Sequence, residues 1–323
     1  MRNISRVLRL WCLVLIMVLL AAGCKARPPV TVKKEIGVTL RRPEIMLVVA
    51  TERNRYEQIY TSQIWDIAVV EDGTTFQEYL LEQIKQFMVD LKRIGAMAQE
   101  YGITLDNGEM EQLRRLAQDY YSQLTEADKA YTGAGSDDVL NLYQEYYLAC
   151  KTVDVLTKNA DLEISDNEAK VVEVSQIVLD NEFNAREVWQ AVRSEGADFD
   201  AIARANSTDE QIRREIVRGE LSAGMEETVF AMNQGEISEI MEDNGRFYLF
   251  YCHNPYDQEA TLARKEEMML LRKDSVFHEY YDAFLEDNLV TVSGRVWQDV
   301  SFVTQENTTT TNLFELYQEY FPD

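Results

Sequence analysis

Histidine and cysteine are scarce in this 323-residue chain, which has two histidines, His253 and His278, and four cysteines. Neither type clusters at metal-ligand spacing, which argues against a structural zinc site. Beyond Cys24 only Cys150 and Cys252 remain. They have the option of pairing outside a cell, but two cysteines make no disulfide framework. No glycine-rich phosphate loop, no Gly-x-Ser-x-Gly elbow and no internal repeat occurs, and no cofactor or metal is implied. Basic residues are also few: 32 Lys and Arg stand against 56 Asp and Glu, a net charge of −24. Binding phosphates needs Lys and Arg, so nucleic acid is not an expected partner. The excess acid fits a soluble, self-repelling exterior.

The chain opens MRNISRVLRLWCLVLIMVLLAAGC. Arg2, Arg6 and Arg9 precede an apolar run from Leu10 to Ala22, the layout of a secretory signal. The run is shorter than the ~20 residues a membrane-spanning helix needs. Its end, Leu20-Ala21-Ala22-Gly23-Cys24, resembles the lipobox of bacterial lipoproteins. That resemblance implies lipidation of Cys24 and a chain held on the outer face of the cytoplasmic membrane, each buried methylene adding ~0.8 kcal/mol. Removing Arg2, Arg6 and Arg9 from the 32 basic residues leaves 29 against 56 acids, a net charge of −27. Lys25 to Pro43 carries six bases and one acid, Glu35, and is read as a basic tether beside an anionic bilayer.

Organisation follows from periodicity. Residues 1–24 are the signal and 25–60 a basic tether and strand, the strand being Glu44 to Thr51. A short extended piece is expected at Trp65 to Val70, ended by Glu71-Asp72-Gly73. Thr75 and Glu78 form a capping-box pattern, and Phe76, Leu80, Ile84, Phe87, Leu91, Ile94 and Ala98 then recur at helical spacing. A second helix carries Met110 to Leu124 and breaks at Gly133-Ala134-Gly135; a third starts near Ser136. Residues 61–165 thus read as a helical domain. From 166 to 257 the texture is mixed: a strand at Val171 to Leu179, helices at Glu182 to Ser194, Phe199 to Asn206 and Glu226 to Asn233, and strands at Ile237 to Met241 and Phe247 to Tyr251. Helical spacing returns over 258–300 and needs an apolar partner, for which the N-terminal helices are the natural choice. Residues 301–323 read as a flexible tail with a short docking helix. The fold class is α+β, an α+β unit inserted in a mostly helical domain.

The inserted unit carries an ordered set of short motifs: Gly196-Ala197-Asp198-Phe199, Ile202-Ala203, Ser207-Thr208-Asp209, Arg218-Gly219-Glu220-Leu221, Glu226 to Met232, and Gly235-Glu236-Ile237-Ser238. In that order they resemble a parvulin-type peptidyl-prolyl isomerase domain, with Ser175-Gln176-Ile177-Val178 as its opening strand. The whole layout is similar to the PrsA and SurA families of extracytoplasmic foldases and chaperones. The resemblance implies a site in which Asp209 takes the family's Cys/Asp position and Gln176 its first histidine position, these two being the candidate catalytic residues. Leu221 and Met225 stand for the family's Met and Phe, and Phe247 replaces the second histidine on the last strand. Ile216 and Phe230 complete the expected proline pocket. Ile212-Arg213-Arg214-Glu215 occupies the place of a glycine-rich loop.

Such an isomerase must lower a barrier of ~18–20 kcal/mol by favouring the twisted amide. Gln176 retains a hydrogen-bond donor; Phe247 has none. Three functions compete: an active isomerase, a chaperone whose parvulin unit binds rather than catalyses, and a ligand-binding surface lipoprotein. The expected partners are unfolded or nascent secreted polypeptides and a membrane through the lipid anchor. A second copy of the chain, sharing a cradle, is a further candidate.

Overall fold

The computed structural model describes residues 33–304 and 307–322. The expected leader and the lipidation site Cys24 lie outside them. The chain divides into two compact units, one running up to Lys158 and resuming at Phe277, the other spanning Asn159–Val276.

The first unit is built on helix α1 (Arg42–Glu57), with Pro43 in its first turn and Ile45 to Ala50 buried on every side. It packs against α2 (Phe76–Glu100), α4 (Glu126–Thr132), α5 (Ser136–Thr157) and α11 (Leu313–Tyr320), while α3 (Asn107–Gln123) packs on α5 and α11. The expected strand over 44–51 is therefore a helix. A short, wholly apolar run carries no period to separate the two states, and a helix buried all round shows no stripe. Residues Ser62–Asp66 make a 3₁₀ turn, not an extended piece, although Ala68 bridges to Thr75. The capping box at Thr75 and Glu78 forms as expected. The helix expected to run to Gly133 breaks earlier, at Leu124, and Thr125 caps α4 through Asp128.

Two expectations at the ends of the unit are overturned. The tether reading does not hold for residues from Lys33 onward. Strand β1 (Lys34–Val38) pairs in parallel with β6 (Asn288–Val292), Lys33 Nζ donates to the Leu285 carbonyl at 2.6 Å, and Arg41 pairs with Asp138 at 2.6 Å. Nor is the C-terminal stretch a flexible tail, although the short docking helix expected in it forms as α11. Phe302, Leu313, Leu316 and Tyr317 are buried, and the Asp128 carboxylate accepts the Thr309 and Thr310 amides at 2.7 and 3.1 Å. The Tyr143 hydroxyl adds a bond to the Leu313 carbonyl at 2.8 Å. A Thr/Asn-rich stretch looks like loop because its partner, a buried carboxylate, lies far away in sequence.

The second unit is a four-stranded antiparallel sheet in the order β3-β2-β5-β4, with β2 at Val171–Leu179, β3 at Arg213–Val217, β4 at Met241–Asp243 and β5 at Arg246–Asn254. A one-turn helix, α6 (Asp166–Ala169), leads into it. Side chains alternate across a strand, so the sheet has two cores. Ile177, Leu179 and Leu249 pack under α7 (Glu182–Val192) and α8 (Phe199–Asn206); Val172, Val174, Phe250 and Cys252 pack under α9 (Ala223–Ala231). Three details depart from expectation. Residues 213–217 form a strand where no element was expected; the strand expected over 237–241 is reduced to one bridge at Ile237 followed by β4; and α9 starts and stops earlier than 226–233. Helix α10 (Gln258–Asp287) runs across the division between the units, and its Phe277 and Phe284 are buried in the first unit's core. Cys150 and Cys252 do not form a disulfide with each other.

Two of the acids buried in the first unit hold their protons above the usual carboxylate range. Burial raises Glu52 to about 7, against the pull of Arg55, and its Oε2 has no hydrogen-bond partner among the described residues. Burial and the nearby Glu145 raise Glu44 to about 7, against Lys92 and Arg41. Because these carboxyls hold protons in the folded chain that the unfolded chain has released, stability falls as pH climbs from about 4.5 to about 7. Denaturant midpoints measured across that window should decline, and Glu52→Gln should flatten the slope and add roughly 1–2 kcal/mol above neutrality. A midpoint indifferent to pH in both proteins would contradict this.

Candidate active site

Strand β2 brings Gln176 to the face that carries Val172, Val174 and Val178, where its side chain is buried. The loop after α8 is stitched to that strand: Val178 N–H donates to Ser207 Oγ at 3.1 Å and Thr208 N–H to the Val178 carbonyl at 2.8 Å. This fixes Asp209 beside Gln176. The amide Nε2 of Gln176 donates to Asp209 Oδ2 at 3.0 Å and to the Gln211 carbonyl at 3.1 Å, and its Oε1 accepts from Arg214 Nη1 at 3.4 Å. The other Asp209 oxygen accepts the Gln211 amide at 2.9 Å. Both polar groups are thus occupied by each other and by their neighbours.

A hollow of about 200 Å³ opens over this pair. Val178, Leu221, Met225 and Tyr248 supply its apolar lining, and Arg214, paired with Glu220, stands with Asp243 and Arg246 among its charged residues. Among the expected site residues, Gln176, Asp209, Leu221 and Met225 meet here. Three others do not. Ile216 is fully buried in the core beneath α9. Phe230 is buried in the same core, with the Arg218 guanidinium 4.1 Å and Lys170 Nζ 5.7 Å from its ring centre. Phe247 packs with Ile177, Leu179 and α7 on the opposite face of the sheet.

The last strand turns Arg246 and, one step further in, Tyr248 to the hollow. Tyr248 pairs with Val178, as Phe250 pairs with Gln176, so Tyr248 and Gln176 are diagonal neighbours on one face. Phe247, expected in the pocket, faces away from it, because adjacent residues of a strand point to opposite faces. Tyr248, Val178 and Arg214 were missed. The first two follow from alternation once the β2–β5 register is known; Arg214 has no signal in the sequence. No hydrogen bond of the Tyr248 hydroxyl is found among the described residues. On the other face, the buried Ser175 hydroxyl lies between Asp200 and His253 Nε2. With the hydroxyl in the middle and out of reach, that trio is a structural clasp rather than a nucleophile and its base. Among the described residues no three His, Cys, Asp or Glu side chains group to hold a metal ion.

What this arrangement can do is grip an apolar ring against Leu221, Met225 and Val178. A new hydrogen bond from Gln176 to a bound amide requires breaking one it already makes, whereas Tyr248 offers a hydroxyl at no such cost.

The family model of the Rotamase, PPIC-type PPIase domain matches residues 179–254. The second unit therefore carries a parvulin-type domain of the PPIC class. Gln176 precedes the matched segment. Among solved structures, the foldase protein PrsA of Streptococcus pneumoniae is similar at 19% identity and a TM-score of 0.28, covering 72% of this chain and 97% of its own. PrsA of Bacillus cereus is similar at 16% identity and a TM-score of 0.36, covering 73% and 97%. A SurA-like chaperone of Campylobacter jejuni is similar at 10% identity and a TM-score of 0.29, covering 64% and 85%. No curated protein matches the chain.

The two faces of β5 make separable predictions. Leu221→Ser should weaken binding of a proline-containing peptide several-fold with little loss of stability. Phe247→Ala should cost about 2–4 kcal/mol in stability and leave peptide affinity within twofold or so. Calorimetry for binding and denaturant titration for stability check both; the reverse pattern would put Phe247 in the pocket.

Proposed function

We propose that this chain is a lipid-anchored extracytoplasmic folding factor. Its parvulin-type domain grips prolyl segments of unfolded exported polypeptides, and it acts mainly as a chaperone. The observation that carries this reading is the uneven state of the hollow. Its apolar lining is in place, while the Gln176 amide and the Asp209 carboxylate are spent on internal hydrogen bonds. Gripping a ring needs only the lining. Lowering a barrier of ~18–20 kcal/mol needs preorganised donors aimed at the twisted amide. The unoccupied Tyr248 hydroxyl favours a second reading, an isomerase of low activity.

The address rests on the sequence. A cationic start, an apolar run and Ala22-Gly23-Cys24 support export and lipidation at Cys24. The acid excess supports polypeptide rather than nucleic-acid partners.

A proline-limited refolding assay with catalytic amounts of the exported chain should run within about twofold of the uncatalysed rate, and Gln176→His with Tyr248→His should accelerate it at least tenfold or so. The intact chain should also suppress aggregation of a denatured client at stoichiometric excess. Strong acceleration by the unaltered chain would make it an isomerase first; no suppression of aggregation would remove the chaperone role. In bacteria, Cys24→Ala should shift the protein from the membrane fraction to the soluble fraction. Unchanged membrane retention would exclude the lipid as its anchor.

A further inference from the structure

From the end of α1 to the first turn of α2 the first unit turns large apolar side chains outward. Ile59 is 76% exposed, Tyr60 53%, Ile67 54%, Val69 47%, Val70 45% and Tyr79 37%. Isolated exposed apolar residues are ordinary, but a run of them within one short segment marks a contact surface.

The segment is held rigidly from beneath. Trp65 is buried, stacks on Phe76 with ring centres 5.6 Å apart, packs against Phe302 at 4.9 Å, and donates its Nε1–H to Glu57 at 2.7 Å. Phe76 N–H donates to the Ile67 carbonyl at 2.8 Å and Val69 N–H to the Thr74 carbonyl at 2.9 Å, closing residues 67–76 into a hairpin-like loop. Its turn is set by Gly73 at φ +90° and by the Thr74 amide bonded to Asp72. No hydrogen bond from the backbone N–H of Ala68 or Val70 is found among the described residues. One edge of this short ribbon is therefore open to an added strand. A surface fixed in advance spends little ordering entropy on binding.

Charge selects the occupant. From Tyr56 to Ile84 the chain has six acids, Glu57, Asp66, Glu71, Asp72, Glu78 and Glu82, and no Lys or Arg. Asp66 and Glu71 are exposed, and no ion pair of either is found among the described residues. An anionic bilayer would be repelled.

We infer that the outward face of residues 59–79 is a docking surface for an extended apolar polypeptide segment flanked by lysine or arginine. The inference rests on the folding-factor reading and names a class of segment that factor holds. Ile67, Val69 and Val70 provide the apolar contact, the open edge at Ala68 and Val70 the main-chain contact, and Asp66 and Glu71 the preference for basic flanks.

The test uses the full chain without its leader and two fluorescent probe peptides. They share a Val-Phe-Ile-Val-Phe core, one flanked by paired lysines and the other by paired glutamates. Anisotropy should show the lysine-flanked probe bound about tenfold more tightly at low salt, with the gap closing as salt rises. Ile67→Ser/Val69→Ser/Val70→Ser should lose most binding of both probes. Asp66→Lys/Glu71→Lys, which alters only exposed side chains, should reverse the preference. Equal affinity for the two probes, or unchanged binding in both variants, overturns the proposal. So does self-association of the chain that the serine variant abolishes without probe binding, or binding to phosphatidylglycerol vesicles through these residues. Aggregation suppression is read in parallel. If the unaltered chain protects a client yet treats both probes alike, only this surface assignment falls; if it protects no client, the folding-factor reading falls with it.

Discussion

Strands β2 and β5 lie side by side with Gln176 opposite Phe250 and Val178 opposite Tyr248. That register governs everything the second unit can do, because successive side chains of a strand leave on opposite faces. One face gives a hollow with Gln176, Val178 and Tyr248 on its wall. The other gives a closed core in which Phe247, Leu249 and Tyr251 pack near α7 and α8. Helix α9 serves the first face twice: Val229 and Phe230 close the core, and Met225 reaches the hollow. The chemistry left in the hollow is a consequence of packing around one amide. Arg214 on β3 and Asp209 on the α8 loop both turn to Gln176, so the polar side of the site is satisfied internally.

The first unit depends on a different arrangement, an apolar helix with buried acids at its margins. Helix α1 has Ile45, Met46, Leu47 and Val49 entirely inside. Glu44 and Glu52 go inside with it, which is costly and leaves them titrating near neutrality. Asp128 is a buried acid of the opposite kind. Bonds from the Thr125 hydroxyl and from the Thr125, Thr309 and Thr310 amides outweigh burial and hold its carboxyl below the usual range. The Thr309 and Thr310 bonds fasten the C-terminal segment to α4. An acid that accepts several amides stabilises its surroundings; an acid with an unpartnered oxygen does not.

Legibility in the sequence followed the range of the interactions concerned. The long amphipathic helix after Thr75, the capping box with Glu78, the strand Val171–Leu179 and the helix Phe199–Asn206 depend on residues a few positions apart, and they were readable. The α+β unit within a helical frame was readable from ordered motifs such as Gly196-Ala197-Asp198-Phe199 and Gly235-Glu236-Ile237-Ser238. Helix α1 was not, because a run apolar on all sides has no period. The packing of the Thr/Asn-rich stretch before α11 was not, because its ligand is Asp128, and the β1–β6 pair was not, because its partners are separated by most of the chain. Within the site, Gln176, Asp209, Leu221 and Met225 meet in one hollow, while Phe247, expected beside them, lies on the opposite face of the sheet. Ile216 and Phe230 were assigned to a pocket when they belong to the core below it.

The central claim is that the parvulin-type unit presents an intact proline grip over polar groups already committed elsewhere. A crystal structure of the second unit's fold within the full chain, soaked with a short Ala-Ala-Pro-Phe peptide, tests it most directly. The account predicts the proline ring against Val178, Leu221 and Met225 with the Tyr248 hydroxyl facing the bound carbonyl, Phe247 remaining under α7, and the Gln176–Asp209 hydrogen bond unbroken. A peptide bound with Phe247 against its proline, or with Gln176 released from Asp209 to bond the prolyl amide, would contradict it.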